Sequence, residues 1–320
     1  MKLSSLGEFG LIGKLRVKCP ALSPDIVAGI GDDAAVIRPG TGECLITTDM
    51  LLEGVHFDLS YTTMPQLGYK FLAVNVSDIF AMGGRPEHFL TGMGVPGGID
   101  SRDMSGLYDG IRKAASQFGV SVIGGDTCAS QSGLVLSGTL LGRAKKAVLR
   151  SGARPGDGIF LSGTVGDSAM GLHLLKKRGK KVHRFSPAAD RLVLMKKHLM
   201  PRPRPVTSMA GISAMIDVSD GLLADLCHIC DESTVGAIIY TERIPLSPHL
   251  RNTAQFLGMN PFPFALNGGE DYVLLFTASR NYKGRAFRIG EITHRGRYIA
   301  DSRGKKKPFR PEGYEHFKSH

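Results

Sequence analysis

Seven aspartates fall where a strand or a helix should end: Asp32, Asp33, Asp49, Asp78, Asp126, Asp217 and Asp220. Each lies within two residues of a glycine, serine or threonine. Magnesium is held by one or two carboxylates together with substrate phosphates. So many acids therefore point to several ions along a phosphate chain, which is nucleotide chemistry. The usual phosphate loop is missing, because Gly10-Leu-Ile-Gly13-Lys14 lacks both its spacing and its hydroxyl. Gly92-Met-Gly94-Val-Pro-Gly97 matches a dinucleotide fingerprint by letter only, since Pro96 and the following glycine leave no helix start there. Cys227-His228-Ile229-Cys230 has no second ligand pair for a structural zinc, so its cysteines are expected to pack on one helix face.

The densest stretch runs over residues 29–57. Residues 34–38 look extended, 39–42 form a Pro-Gly-Thr-Gly turn, and 43–48 are a β-branched return strand. In that hairpin Asp32 would stand across from Asp49, and Asp33 across from Thr48, about 5 Å apart. Carboxylates so close need a cation between them, or one takes a proton. Thr47 and Thr48 add the hydroxyl and carbonyl oxygens that a hard divalent cation prefers. The hairpin is expected to hold metal at its open end.

The elements that must position these acids follow from periodicity. Residues 8–17 make a short amphipathic helix. Residues 66–82 make a longer one, with Leu67, Phe71, Val74 and Asp78 on one stripe and Gly83-Gly84 as its stop. An acid on an inward stripe is paired or metal-bound, and metal is the expectation for Asp78. A helix at 100–118 ends at Gly119, and a strand at 120–123 runs into Gly124-Gly125-Asp126-Thr127. Two glycines there let the backbone approach a phosphate and leave the acid for its metal. A strand covers 134–142. Linker-like residues 151–158 set a domain boundary near Arg150, giving an N-terminal ATP- and metal-binding domain at 1–149 and a C-terminal domain at 150–320. In the second half, strands at 159–162 and 214–216 lead to a helix from Ser168 and to Asp217-Val218-Ser219-Asp220-Gly221. A helix at 222–230 follows, and residues 267–271 again set glycines and acids before a strand at 272–277.

The chain has 320 residues, a formal charge of +11, 42% apolar residues and five scattered cysteines. That length suggests about two domains. The charge calls for an anionic partner. The lysine runs at 176–181 and 305–307 lack the interleaved aromatics of a single-strand-binding surface, so no nucleic acid is expected. No stretch is apolar enough to span a membrane, and the odd cysteine set suits reduced thiols in a cytoplasm.

The chain resembles the thiamine-monophosphate kinases, within the ATP-using superfamily that includes aminoimidazole ribonucleotide synthetase. The resemblance rests on G-E-F-G-L-I at 7–12, I-G-D-D-A-A at 30–35, T-T-D-M-L-L-E-G-V-H-F at 47–57 and L-A-V-N-V-S-D-I-F-A-M-G at 72–83. It continues in order through I-G-G-D-T at 123–127, R-S-G-A-R-P-G-D at 150–157, L-S-G-T-V-G-D-S-A-M-G-L at 161–172, I-D-V-S-D-G-L at 216–222, G-G-E-D-Y at 268–272 and G-Y-E-H-F at 313–317. It implies an α/β fold of two α+β domains. The N-terminal sheet would join a partner subunit's in a dimeric barrel, the C-terminal half would be an α/β sandwich, and ATP would lie in the cleft between.

The same resemblance implies roles. Asp33, Thr47, Thr48, Asp49, Asp78, Asp126, Asp217 and Asp220 match metal positions. Gly125, Asp126, Arg150, Ser219 and Tyr108 match nucleotide contacts, and His56, Glu270 and Tyr314 match the thiamine phosphate site. Tyr314 stands where the family often has tryptophan. The implied reaction is magnesium-dependent transfer of the ATP γ-phosphoryl group to thiamine phosphate, with Asp49, Asp78, Asp126 and Arg150 as its catalytic residues. Two other functions fit parts of the pattern. A sister enzyme activating a carbonyl or carbamoyl oxygen would keep the acids but not need Tyr314, and a basic RNA-binding protein would not cluster its acids in motifs.

Overall fold

The structure is a computed structural model that describes residues 17–18, 26–28, 36–37, 40–181 and 189–310. Asp32, Asp33 and Tyr314, and all but Val17 of the expected helix at 8–17, lie outside the described residues. Two units divide the chain, one reaching to Ile79 and resuming over Gly84–Ala147, the other taking Phe80–Gly83 and everything from Val148.

In the first unit β1 (Ile26–Ala28) pairs antiparallel with β2 (Val36–Ile37). The main sheet contains β3 (Glu43–Leu52), β4 (Arg85–Pro96), β5 (Ser121–Ser130) and β6 (Val135–Ala144), in the order β3-β6-β4-β5. Only the β4–β5 pair is parallel. Among the described residues, β2 pairs with β1 and not with β3, so the expected hairpin between residues 34–38 and 43–48 is not seen there. β3 pairs along its full length with β6 instead, which sets Asp49 opposite Gly138 and Thr48 opposite Thr139. A ten-residue strand gains a complete ladder from a partner of equal length, which β6 provides.

Two helices, α1 (Met64–Ala81) and α2 (Ser101–Phe118), cover one face of this sheet. Phe71 of α1 packs edge-on against Phe89 of β4. A side chain at Gly138 would collide with Asn75, and one at Gly142 with Ile79, so these glycines form notches that let α1 close onto β6. α2 starts with a reciprocal capping box between Asp100 and Asp103 and ends at Gly119 in the left-handed conformation. The other face of β3 is uncovered in the single chain, leaving Ile46 69% and Met50 53% exposed. The four strands form an open sheet, not a closed barrel.

Among its described residues, the second unit has a seven-stranded sheet with five α-helices: β7 (Gly158–Leu161), α3 (Asp167–Lys181), α4 (Ala189–Leu199), β8 (Ile212–Asp217), α5 (Leu222–Ser233), β9 (Gly236–Tyr240), α6 (Pro248–Phe256), α7 (Phe262–Asn267), β10 (Leu274–Ala278), β11 (Phe287–Thr293), β12 (Arg297–Ala300) and β13 (Lys306–Pro308). The strand order is β13-β12-β9-β11-β7-β10-β8. Its core joins Ile159, Leu161, Ile216 and Leu275 of the sheet to Leu222, Leu226 and Ile229 of α5. Cys227 and Cys230 lie buried in the same core, as their spacing on one helix face implies.

Candidate active site

In the first unit, the alternation of β3 sends Thr47 and Asp49 to the helix-covered side, with buried Leu45 and Leu51. Asp78 comes down on this face from α1, and Thr47 Oγ1 donates to Asp78 Oδ2 at 2.5 Å. Thr47, Asp49 and Asp78 thus share one side of β3. The hydroxyl of Thr48 is on the opposite side, where Thr139 donates to it at 3.3 Å. That separates it from the acids with which its sequence position groups it.

Asp126 is also apart. It sits on β5, three strands from β3 in the sheet, roughly 14 Å at the usual strand spacing. It is exposed, and its Oδ1 accepts the Thr127 N–H at 2.9 Å. The adjacent Gly125 faces the Thr91 carbonyl so closely that any side chain would clash, so this glycine answers to the neighbouring strand. Tyr108 is only 3% exposed, and its hydroxyl shares a 3.1 Å hydrogen bond with that of Thr91, which makes it a core residue of α2. His56 sits in the loop after β3. There the Leu52 N–H donates to its Nδ1 at 3.1 Å, so a neutral His56 carries its proton on Nε2.

In the second unit, Asp217 ends β8, and Ser219 and Asp220 follow before the start of α5. Asp225, only 1% exposed, takes the N–H groups of Ser219, Asp220 and Gly221 on its Oδ2 at 3.2, 3.3 and 3.1 Å. Burial, then the charges of Asp217 and Asp220, push the Asp225 carboxyl up to about 8, against the pull of these backbone donors. Ligand atoms of Asp220, Asp225 and exposed His228 lie within 4.8 Å of one another. Crowded acids of this kind suit a cation. Arg150 is exposed, and its carbonyl accepts from Ser233 Oγ at 3.1 Å.

Glu270 belongs to the loop before β10 and has φ 63°, and Tyr272 has φ 50°. Two non-glycine residues in the left-handed region cost on the order of 1–3 kcal/mol each and persist only where neighbours hold them. Glu270 N donates to Ser219 O at 2.8 Å and Tyr272 N to Val218 O at 2.9 Å, tying this loop to the one after β8.

Family models place these motifs. That for the N-terminal domain of AIR synthase related protein matches residues 31–144, and that for its C-terminal domain matches residues 154–302. The thiamine-monophosphate kinase of Aquifex aeolicus is 37% identical over 99% of this chain and 100% of its own length. The chain belongs to the thiamine-monophosphate kinase family. The solved thiamine-monophosphate kinase of Stenotrophomonas maltophilia is 34% identical, with a TM-score of 0.81 over 94% of this chain and 98% of that one. A further solved structure, AaThiL complexed with AMPPCP and TMP, is 34% identical, with a TM-score of 0.78 over 99% of each chain.

In this member of the thiamine-monophosphate kinase family, the start of α3 is filled by the protein itself. Gly166 N and Ser168 N donate to the Asp271 carboxylate at 2.5 and 2.9 Å, occupying the donors that a phosphate would use at a helix N-terminus. Gly166, the last glycine before α3, therefore helps to hold Asp271 at this helix start. Sequence reading assigns no role to Asp225, Asp271, His198 or His228, although it notes the acids of 267–271 and the Cys227–Cys230 run. Asp225 carries a usable signal, being an acid on a helix whose other first-turn residues are apolar and buried.

Proposed function

We propose that this chain transfers the γ-phosphoryl group of ATP to thiamine phosphate, giving ADP and thiamine diphosphate. One observation carries this for a chain of this family: the Thr47–Asp78 hydrogen bond joins T-T-D of β3 to S-D of α1, two motifs distant in sequence, on one side of one sheet. The donors suit magnesium, because hydroxyl and carboxylate oxygens are what that ion prefers. Thr47, Asp49 and Asp78 would hold it in the first unit, and Asp217, Asp220 and Asp225 in the second. Asp33, Asp126 and the carbonyl of Thr48 are further ligands in this scheme. Bound magnesium supplies neutralisation of phosphate charge.

The chain's own residues do the rest by alignment, which dominates phosphoryl transfer. The acceptor is already a phosphate oxygen anion, so no base is needed and transfer is direct and in line, without a phospho-enzyme. Arg150 offers paired guanidinium donors to phosphate oxygens, Gly125 offers backbone and Ser219 its hydroxyl. Tyr108 is left out, because its ring is core and its hydroxyl is committed to Thr91. His56 donates from Nε2 to the acceptor phosphate. Glu270 complements the cationic thiazolium, on which Tyr314 stacks.

The working unit is a homodimer in which the open faces of two four-stranded sheets close a barrel. The described cysteines are free thiols, which suits a cytoplasmic enzyme. Incubating the pure protein with magnesium, ATP and thiamine phosphate, with chromatography of the thiamine products, tests the activity. Thiamine diphosphate and ADP in equal amounts are expected, and ATP turnover without thiamine diphosphate would overturn the assignment.

A further inference from the structure

Glu270 and Asp271 are consecutive, and both are tied to the start of α3 through Ser168. The Asp271 carboxylate accepts the Ser168 N–H at 2.9 Å. Glu270 is reached through an intermediary: His198, on α4, places its Nδ1 3.1 Å from Glu270 Oε2 and 3.1 Å from Ser168 Oγ. A carboxylate only accepts, so Nδ1 carries the proton it shares with Glu270, and the Ser168 hydroxyl can accept from the same N–H. His198 is 3% exposed and Ser168 1%, whereas the Glu270 side chain keeps 24% of its surface. The outcome is a carboxylate that meets solvent, gripped from behind by a buried donor and carried on a strained backbone.

We propose that His198 is a positioning residue for substrate recognition, holding the Glu270 carboxylate in one orientation before the cationic thiamine moiety arrives. This rests on the assignment of Glu270 as a thiamine phosphate contact. A glutamate has three side-chain torsions to freeze, and freezing them before binding removes that ordering cost from the binding step. A histidine that only filled the core would leave substrate affinity unchanged when replaced by a residue of similar bulk.

Three substitutions separate these roles. His198→Asn puts an amide nitrogen where Nδ1 was, His198→Gln carries its amide past that point, and His198→Leu removes the donor while filling space. The Leu and Gln variants should raise KM for thiamine phosphate about tenfold, the scale of one hydrogen bond to a charged group. Their kcat and KM for ATP should stay within about twofold of wild type. The Asn variant should recover most of the loss. If Leu does not fold, the Asn and Gln pair carries the comparison alone. In a Glu270→Ala background the His198 substitutions should add nothing, because their effect runs through the missing carboxylate. Losses that multiply in the double variants would overturn the proposal, as would wild-type KM in Gln and Leu while Glu270→Ala is impaired. A wild-type KM in Glu270→Ala itself would instead remove Glu270 from the substrate site, and the role of His198 with it.

Discussion

At Asp78 an acid on a largely apolar helix meets the Thr47 hydroxyl at 2.5 Å, and Asp49 lies two residues along the same side of β3. Asparagine keeps the shape of either residue but removes the charge that phosphate chemistry would need balanced by a cation. Asp49→Asn and Asp78→Asn should each lower turnover by about 100-fold or more, the scale of losing one electrostatic transition-state contact. Circular dichroism should stay that of wild type, and near-normal turnover in both would remove them from the machinery. The cysteines make the opposite case. Burial pushes the Cys230 thiol up to about 12 and raises Cys227 too, so both stay protonated and neither is a ready metal ligand or nucleophile. Replacing both with alanine should cost about 1–3 kcal/mol in urea unfolding through lost packing. Activity per folded molecule should be intact, and stoichiometric zinc lost with the double variant would contradict this.

The loop before β10 is where an element's stability and its site meet. Burial, ahead of the charge of Asp167, raises the Asp271 carboxyl to about 7, while the N–H groups of Ser168 and Gly166 and the Lys197 charge pull it down. Its folded pKa lies above the unfolded value of 3.8, so its contribution to stability is fully present below about pH 4 and is lost as pH rises through about 7. Urea unfolding at pH 5 and pH 8 should show a larger fall for wild type than for Asp271→Asn, by up to a few kcal/mol. Equal falls would mean that Asp271 does not titrate in this window. What the sequence makes legible at this scale is local. The boundaries of α2 could be read from Asp100, Asp103 and Gly119 because the capping groups lie within one turn of the helix ends they satisfy. The partner of β3 could not, because β6 lies some ninety residues on and nothing near Pro39-Gly40 rules out a hairpin. The inward stripe that exposed Asp78 would have exposed Asp225 as well. The His198–Glu270 pair gave no signal, since two helices and a loop must assemble before the residues meet.

For the whole molecule, the uncovered face of the first unit's sheet carries a further expectation. Ile46 and Met50 project from the side of β3 opposite Leu45 and Leu51, and they are 69% and 53% exposed in the single chain. Among the described residues β3 is also an edge strand, and its exposed apolar residues and edge hydrogen-bonding groups both favour association. A second copy of the same sheet can cover both features through a two-fold contact in which one patch meets itself. The wild-type protein should therefore sediment as a dimer at micromolar concentration. Ile46→Glu with Met50→Glu would set two charges per copy in that contact and should give a monomer. These substitutions point away from Thr47, Asp49 and Asp78, so the fold of the monomer should survive, with a circular dichroism spectrum like that of wild type. Kinase activity should fall only to the extent that the site depends on the partner, which the double variant measures directly. A wild-type monomer, or a double variant that still sediments as a dimer, would show that this face is not the contact.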